Sequence, residues 1–398
     1  MYNTLNSLDI LDRTRSVFDE DLLENEAEIS KLIKSSSILV VGGAGSIGMA
    51  VTKQLFSFGP KKLHVTDISE NNLVELVRDI RSSLGYIEGE FKTFVLDFTS
   101  ILFDLFLRDK QYDYVFNLAA LKHVRSEKDP YTLLNLIKTN IIETVKLHEK
   151  LSRMHTRKYF VVSSDKASAP VNLMGASKLL MEHFLRTSKS ETPFSSARFA
   201  NVAFSDGSLL HGFKIRLEKR QPITAPNDIK RYFVNSEEAG RLCLLSGFLG
   251  DHRNIFFPNV NSELHLISFS EVAQNFLNKN GLEYLILETE AEARDKCLFL
   301  YNKNVVPVYF FKSDTTGEKP YEEFTQKDDC VDLVTYKEVG VILSNSNRGG
   351  FEFKEFCDDI NSLYQIADLR KTDIVEVFEK HISNFYHIEK NKNLDEKM

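Results

Sequence analysis

A hydroxyl, a carboxyl and two amines lie close together near the middle of this 398-residue chain. Ser164, Asp165 and Lys166 follow an apolar, β-branched run, which predicts a buried strand whose carboxyl end would bind ligands in an open α/β sheet. Lys178 comes four residues after Met174, so both would share one face of a following helix. We interpret the four polar residues as candidates for redox and acid–base chemistry. The alternative is a solvated Asp–Lys loop and a surface lysine.

A glycine-rich loop upstream joins a second predicted strand, Ser37–Val41, to a helical stretch. The run GGAGSIG is Gly-x-x-Gly-x-x-Gly, a spacing variant of the dinucleotide fingerprint. Its glycines allow a tight turn, close approach of a pyrophosphate, and close packing of helix on strand, while the helix N-terminus offers N–H groups to the anion. The residues predicted to hold this cofactor are Gly42, Gly45, Ser46, Ile47 and Gly48.

Three further strand ends would complete the cofactor site. Asp67 lies about 20 residues beyond the loop, where a carboxylate accepts the adenosine ribose hydroxyls. An acid there repels a 2′-phosphate and favours NAD over NADP; the alternative is that Asp67 caps the next helix. Asp97 and Phe98 would lie by the adenine. Ala119 and Ala120 are small, so the backbone there can pass close to the cofactor.

Strands and helices alternate up to residue 165, a pattern that predicts an α/β, Rossmann-type, doubly wound parallel sheet of six or seven strands with helices on both faces. A strand–helix–strand insertion is predicted at 283–312. The predicted divisions are an N-terminal helical extension (1–34) that packs on the main domain or a second subunit, an NAD-binding domain (35–200), a smaller and mainly substrate-binding C-terminal lobe, partly interleaved with the sheet (201–390), and a frayed tail (391–398).

The bulk composition is that of a soluble globular protein, with 42% hydrophobic and 27% charged residues. The net charge of −7 argues against a protein that coats nucleic acid. The four cysteines are widely spaced and form no zinc-binding pattern, so no metal site is predicted. The N-terminus does not have the pattern of a signal peptide, and no apolar run approaches the roughly 20 residues that a membrane span needs. We expect a cytoplasmic protein.

Eight motifs occur in the order seen in nucleotide-sugar 4,6-dehydratases of the extended short-chain dehydrogenase/reductase superfamily. They are VVGGAGSIG, DISE, NLAALKHV, SSDKA, MGASK, RFANV, RYF and TGEKPYEEF. Over residues 35–345 the chain resembles UDP-N-acetylglucosamine 4,6-dehydratases and the capsule or O-antigen polysaccharide-biosynthesis proteins. The resemblance implies tightly bound NAD, a UDP-sugar substrate and a homo-oligomer. It also implies net dehydration, in which hydride leaves carbon 4, water is lost across carbons 5 and 6, and hydride returns to carbon 6.

The sequence departs from the superfamily where a Tyr-x-x-x-Lys motif is usual, because Met174 replaces the tyrosine. A thioether cannot take a proton, so the base must lie elsewhere. Long, membrane-anchored dehydratases also carry methionine here, and we expect their transmembrane half to be absent. By resemblance, Lys166 is the base at carbon 5, with a pKa lowered by burial and by Lys178. Asp165 is the acid for the leaving hydroxyl, Ser164 handles the 4-hydroxyl proton, and Lys178 holds the nicotinamide ribose.

Basic residues are the candidates for binding the substrate, because a sugar diphosphate is an anion. A cluster that includes Arg125 follows the fourth strand; its alternative is a solvated loop. For Arg198 the alternative is a structural salt bridge. The predicted substrate-binding residues are Lys122, His123, Arg198, Asn201, Arg231 and Lys319.

The resemblance implies a hydro-lyase that converts UDP-N-acetylglucosamine to the 4-keto-2,6-dideoxy sugar, and Met174 favours retention at carbon 5. A simple 4-epimerase does not need the Asp–Lys pair. Two alternatives stay open: a dehydratase or epimerase that inverts carbon 5, and a protein that binds NAD and UDP-sugar without catalysis.

Overall fold

A nine-stranded sheet lies at the centre of the fold in the computed structural model, which describes residues 7–260, 264–314, 316–344, 352–383 and 385–390. Seven neighbouring strands are parallel. In sheet order they are β3 (Glu90–Val95), β2 (Lys62–Asp67), β1 (Ser37–Val41), β4 (Tyr114–Asn117), β5 (Lys158–Ser164), β6 (Phe194–Phe199) and β11 (Ile255–Pro258). The predicted parallel Rossmann-type sheet is confirmed. Two antiparallel strands, β16 (Val339–Ile342) and β15 (Val331–Asp332), extend it beyond the prediction.

The strands are apolar on both faces because helices cover both sides of the sheet. In β1, Ile38 and Val40 point into one core, whereas Leu39 and Val41 point into the other. Residues of α3 (Glu26–Lys34), α4 (Ser46–Ser57), α5 (Glu70–Ser83) and α11 (Ser236–Leu249) fill the first core. Residues of α6 (Ile101–Arg108), α7 (Pro130–Ile137), α8 (Glu143–Ser152), α9 (Leu173–Thr187), α15 (Phe353–Leu363) and α16 (Lys371–His381) fill the second.

Helices α7 and α8 are joined by a π-helical turn, Lys138–Ile142. Asp129 caps α7 and Pro130 occupies its first turn, where a missing N–H does no harm. The π turn carries Asn140, whose side chain exchanges two hydrogen bonds with the backbone of Leu121. This turn therefore fixes the path of the chain after β4.

A smaller lobe has its own core and a parallel sheet of three strands, ordered β13 (Glu283–Leu287), β14 (Val305–Phe311) and β8 (Ile223–Pro226). Its helices are α10 (Leu209–Glu218), α12 (Phe269–Lys279), α13 (Glu290–Asp295) and α14 (Cys297–Tyr301). Two short ladders pair β7 (Asn201–Val202) with β10 (Phe233–Val234) and β9 (Lys230–Arg231) with β12 (Ile267–Ser268). The strand–helix–strand insertion at 283–312 is present, with two helices between its strands.

Part of the segment assigned to the C-terminal lobe, 201–390, lies in or on the large sheet, with which partial interleaving is predicted. Strands β11, β15 and β16 belong to the large sheet, and α15 and α16 pack on the same core as α9. The apolar residues of α15 and α16 pack into that core, although both helices follow residue 201 in the sequence. The predicted tail, 391–398, lies outside the described residues.

Within the described part of the N-terminal extension, three short helices pack on their own chain: α1 (Ser7–Ile10), α2 (Asp19–Glu24) and α3. Arg13 forms a buried ion pair with Glu238 at 2.7 Å. The same carboxylate accepts a hydrogen bond from the N–H of Val17 and closes the capping box of α11 with Asn235. The extension is therefore tied to the helix that covers the first core.

Candidate active site

The carboxyl ends of β1, β4 and β5 meet at one edge of the sheet. The chain order reverses between β1 and β4, which is the switch point where open α/β sheets bind ligands. The loop after β1 touches the loop after β4, because a Cβ on Gly42 would come within 2.6 Å of the backbone nitrogen of Ala119. Ala120 packs against the first core. The predicted glycine loop, the Ala119–Ala120 stretch after β4 and the Asp–Lys turn are therefore neighbours.

The glycine loop is so tight that a side chain at Gly42 or Gly48 would collide with backbone atoms. Gly42 has φ +71°, and a Cβ on Gly48 would lie 2.2 Å from the carbonyl oxygen of Gly42. Gly45 precedes α4, and no side chain among the described residues caps that helix. The Ser46 hydroxyl accepts a hydrogen bond from the N–H of Asp206, and Ile47 packs on the core. The loop therefore leaves the N-terminus of α4 to bind an anion.

Asp67 stands at the end of β2, beside the loop. Its carboxylate accepts hydrogen bonds from the N–H groups of Ala44 and Ser69, each at 2.9 Å. The helix-capping alternative is wrong, because Ser69 caps α5 instead. At the end of β3, Asp97 is exposed and Phe98 is buried against Phe103.

The Asp–Lys turn after β5 is compact and largely buried, so the solvated-loop alternative is wrong. Ser164 donates to Asp165 Oδ1 at 2.9 Å and accepts from the N–H of Lys166 at 3.3 Å. The Lys166 ammonium lies 3.2 Å from Asp165 Oδ1 and 3.7 Å from Glu322 Oε1. Burial lowers the pKa of Lys166, but these carboxylates outweigh it and hold the pKa above its usual value. The expectation of a lowered pKa is wrong.

Lys178, near the start of α9, has a lowered pKa. It is fully buried, its Nζ donates to the carbonyl oxygen of Val162 at 3.0 Å, and burial lowers its pKa to about 8. The surface-lysine alternative is therefore wrong. Asn172 caps α9, and a Cβ on Gly175 would meet the Lys166 carbonyl oxygen at 2.6 Å. Helix α9 thus passes directly over the Asp–Lys turn.

Met174 is buried in the same turn of α9, and its N–H donates to Glu127 Oε1 at 3.0 Å. The other oxygen of Glu127 pairs with His387 Nε2 at 3.0 Å. Residues 385–390 therefore reach back across the start of α9, where the N–H of Ile388 donates to the carbonyl oxygen of Val171 and its carbonyl oxygen accepts from the N–H of Gly317. A segment far away in sequence closes the site here.

Among the predicted substrate residues, Lys122 and His123 lie exposed after β4, and the His123 ring lies against Gly207. The side chain of Arg125 is outside the described structure. Asn201 starts β7, and its Nδ2 is buried without a hydrogen-bond partner among the described residues. That amide is suited to bind a ligand, since a buried donor without a partner is costly.

Arg198 is not available to a diphosphate, which corrects the prediction. It is buried, with two hydrogen bonds to Glu182 at 2.9 and 2.6 Å and one to the carbonyl oxygen of Phe324 at 2.6 Å. Asp329 lies 3.7 Å away. All three guanidinium nitrogens are therefore engaged, and the structural salt-bridge alternative holds.

Arg231 is likewise buried and engaged, so its assignment to the diphosphate is also corrected. It donates to the carbonyl oxygens of Lys319 and Pro320, at 3.0 and 3.2 Å, and to Glu318 at 2.6 Å. Lys319 pairs with Glu322 at 3.3 Å. These contacts hold residues 316–324, which we call the 316–324 loop, against β9 and the Asp–Lys turn.

Sequence reasoning missed the carboxylates that organise this site. Glu182 lies four residues after Lys178, so helical spacing was the signal that both face the strand ends. It accepts a hydrogen bond from Ser163 at 2.5 Å as well as from Arg198. Glu127 and Glu322 had no local signal, because their partners are distant in sequence.

The parallel sheet with its glycine loop and buried Asp–Lys turn is that of a Rossmann-type protein of the short-chain dehydrogenase/reductase class. The chain belongs to the polysaccharide biosynthesis protein family, whose sequence pattern matches residues 38–343.

Named relatives share parts of the chain. The membrane protein MJ1061 of Methanocaldococcus jannaschii is 36% identical over 250 residues, 59% of this chain and 70% of the relative. The probable polysaccharide biosynthesis protein EpsC of Bacillus subtilis is 31% identical over 79% of this chain and 50% of EpsC. An inverting UDP-N-acetylglucosamine 4,6-dehydratase of Campylobacter jejuni is 29% identical over 58% and 69%. This chain spans about half the length of EpsC.

Solved structures confirm the fold. Pen from Bacillus thuringiensis superposes with a TM-score of 0.64 at 22% identity, over 83% of this chain and 98% of Pen. WbmF from Bordetella bronchiseptica, solved with NAD⁺, has a TM-score of 0.51 at 19% identity, over 63% and 80%. In the described ranges, every helix is too short or too polar to cross a membrane.

Proposed function

We propose that this chain is an NAD-dependent 4,6-dehydratase that acts on UDP-N-acetylglucosamine and retains the configuration at carbon 5. The observation that carries the proposal is the buried Asp165–Lys166 turn after β5, next to the switch point of the sheet, with Lys178 over it. Paired groups of this kind suit the removal of one proton and the donation of another. Relatives named as dehydratases support the choice of reaction.

The residues present fit a dinucleotide. The loop from Gly42 to Gly48 would cradle its pyrophosphate, because a side chain at either end of it would collide with backbone. Asp67 would take the adenosine ribose and favours NAD over NADP, Asp97 would lie on the adenine side, and Lys178 would hold the nicotinamide ribose. When bound, NAD would accept a hydride from the sugar and return it.

The side chains of this chain would handle the protons. The proton on carbon 5 becomes acidic once carbon 4 is a ketone, and Lys166 would take it. Asp165 would donate a proton to the hydroxyl that leaves carbon 6 as water. Ser164 bonds to Asp165 and would relay the proton of the 4-hydroxyl, since Met174 cannot take it. Asn201, Lys122 and His123 would face the nucleotide sugar, with Lys319 at the edge of the site.

Retention at carbon 5 is the finer part of the proposal. Met174 stands where C5-inverting members of the superfamily usually carry a tyrosine, which favours retention. The relatives from Campylobacter jejuni are named as inverting, so inversion is the second candidate. We also propose a cytoplasmic homo-oligomer with tightly held NAD.

Proton NMR of UDP-N-acetylglucosamine with the purified protein in D₂O tests the proposal without added cofactor. The expected result is a new 6-methyl signal and a 4-keto product, whose couplings report retention or inversion. Lys166→Ala should slow the appearance of the methyl signal by roughly a hundredfold or more, the usual contribution of a general base. Lys189→Ala, at an exposed lysine, is the matched control.

An unchanged spectrum would reject this substrate, and repeating the experiment with NAD and UDP-glucose would test the neighbouring ones. NAD and UDP-sugar bound without turnover would favour a non-catalytic protein. Wild-type turnover in Lys166→Ala would remove Lys166 from the mechanism.

A further inference from the structure

Glu322 lies at the centre of a charged cluster that joins the 316–324 loop to the Asp–Lys turn. Its side chain is only 3% exposed. Three cations surround it: Lys166 Nζ and Arg231 Nη2 lie 3.7 and 3.8 Å from Oε1, and Lys319 Nζ lies 3.3 Å from Oε2. A buried carboxylate needs such compensation, because removing it from water is costly.

The three cations are not equivalent. Arg231 is already engaged with Glu318 and with carbonyl oxygens of the loop, and Lys319 belongs to the same loop as Glu322. Oε2 of Glu322 is buried and accepts no hydrogen bond from any described group, so its interactions are purely ionic. Lys166 is the only one of the three on the Asp–Lys turn. The Glu322–Lys166 contact therefore links the loop to the proposed base.

The charges that face Lys166 come from two elements beside its own. Asp165 on the same turn and Glu322 and Glu318 on the loop favour the ammonium form, whereas burial and Arg231 on β9 oppose it. The carboxylates prevail, so Lys166 is an ammonium in the ligand-free protein. A general base must first lose that proton.

We propose that Glu322 is a positioning residue that holds the Lys166 ammonium in place and sets the pH at which Lys166 becomes a free amine. The inference rests on the proposed function for the role of Lys166 as base. The step is one proton transfer from Nζ to solvent, which leaves the N–H electron pair on nitrogen. Removing the charge of Glu322 makes this step easier, while Asp165 stays 3.2 Å from the ammonium.

The test reads the protonation of Lys166 directly, without substrate. Full-length protein is pulsed with acetic anhydride across a pH series, and acetylation of the peptide containing Lys166 is measured by mass spectrometry. An ammonium does not react, so the midpoint of labelling reports the loss of the proton. In Glu322→Gln the midpoint should fall by about one pH unit, the lower end of the effect of a neighbouring charge.

Two further variants make the result specific. Glu323→Gln removes the adjacent, exposed carboxylate and should leave the midpoint unchanged. Glu322→Asp keeps the charge and should return the midpoint toward that of the wild type. An unchanged midpoint in Glu322→Gln, or an equal fall in Glu323→Gln, overturns the proposal.

The turnover assay separates this inference from the proposed function. If the wild type dehydrates the sugar, the acid limb of its kcat/KM profile should move to lower pH in Glu322→Gln by the same shift as the labelling midpoint. An acid limb that stays fixed overturns the catalytic part. If the wild type shows no turnover, the proposed function fails, while labelling still decides whether Glu322 governs Lys166.

Discussion

Replacing Arg198 by methionine should destabilise the protein rather than weaken substrate binding. Methionine has a similar length and no charge, so the change removes the guanidinium and keeps much of the volume. It leaves the Glu182 and Asp329 carboxylates buried without their cation. Breaking a buried pair from one side costs about 3–5 kcal/mol in the free energy of unfolding.

Replacing Glu182, the partner of Arg198, is expected to lower the free energy of unfolding by less. Glu182→Gln leaves Arg198 with Asp329 at 3.7 Å and the hydrogen bond to Phe324, so we expect a loss of roughly 2 kcal/mol. In the double variant, Arg198→Met with Glu182→Gln, position 182 carries no charge that could be left buried without a partner. The two losses should therefore not add.

The change of the stability difference with pH follows from the pKa of Glu182. Burial raises the pKa of Glu182, but the charge and hydrogen bonds of Arg198 outweigh this and hold it below the usual value. The pair therefore stabilises the wild type above the ordinary pKa of a glutamate, and this contribution is lost as pH falls through the lowered value. In Arg198→Met burial is opposed only by the hydrogen bond from Ser163 and the charge of Arg186, so Glu182 protonates more readily than in the wild type. The deficit of the variant should be largest at pH 7 and shrink toward pH 5.

Urea unfolding followed by far-UV circular dichroism measures these differences, since the chain has no tryptophan to report by fluorescence. Arg78→Met, at an exposed arginine on α5, is the control and should change stability by less than about 0.5 kcal/mol. A stability of Arg198→Met equal to that of the control, together with a tenfold rise in KM for the UDP-sugar, would refute the structural role and restore the diphosphate assignment.

Two other variants probe the cofactor side. Gly48→Ala should purify with at least tenfold less NAD, because its Cβ would lie 2.2 Å from the Gly42 carbonyl oxygen. Chromatography of the denatured protein measures the bound NAD. Gly212→Ala is the control and should keep its NAD, since a Cβ there meets no atom closer than 3.4 Å. Lys178→Met should abolish turnover yet stabilise the cofactor-free protein at pH 7 by about 2 kcal/mol. Burying the lysine lowers its pKa from 10.5 to about 8, which costs the wild type about 3 kcal/mol of stability, and the variant avoids this cost. The variant also loses the hydrogen bond to Val162, which was worth about 1 kcal/mol. That gain should shrink between pH 8 and 10.5, where the wild-type lysine loses its proton in the folded state; a loss of stability at pH 7 would contradict it.

The parts of the site predicted from sequence are those with local signals. A glycine run between a strand and a helix, and a polar group after an apolar run, each follow from a few adjacent residues. Parallel pairing then places all such strand ends at one edge, so Gly42, Asp67, Ala119 and Asp165 were brought together by topology alone.

The parts that sequence reasoning missed depend on contacts between distant segments. Arg198 has the chemistry of a phosphate ligand, but Glu182 and Asp329 bind its guanidinium instead. The expectation of a lowered pKa for Lys166 counted burial and a neighbouring lysine, but not Glu322. In each case the deciding partner is a charge whose position is set by packing, and no local pattern announces it.

These charges shift the pKa values of the two buried lysines, Lys166 and Lys178, in opposite directions. Near Lys178 the carboxylate is Glu182, whose charge Arg198 compensates, so burial prevails and the pKa falls to about 8. Near Lys166 the carboxylates prevail and the amine stays charged. With Met174 in place of a phenol, the first proton to leave under the proposed function is that of the 4-hydroxyl. We infer that Lys178, with its lowered pKa, becomes a free amine more readily than Lys166, whose ammonium form the carboxylates favour.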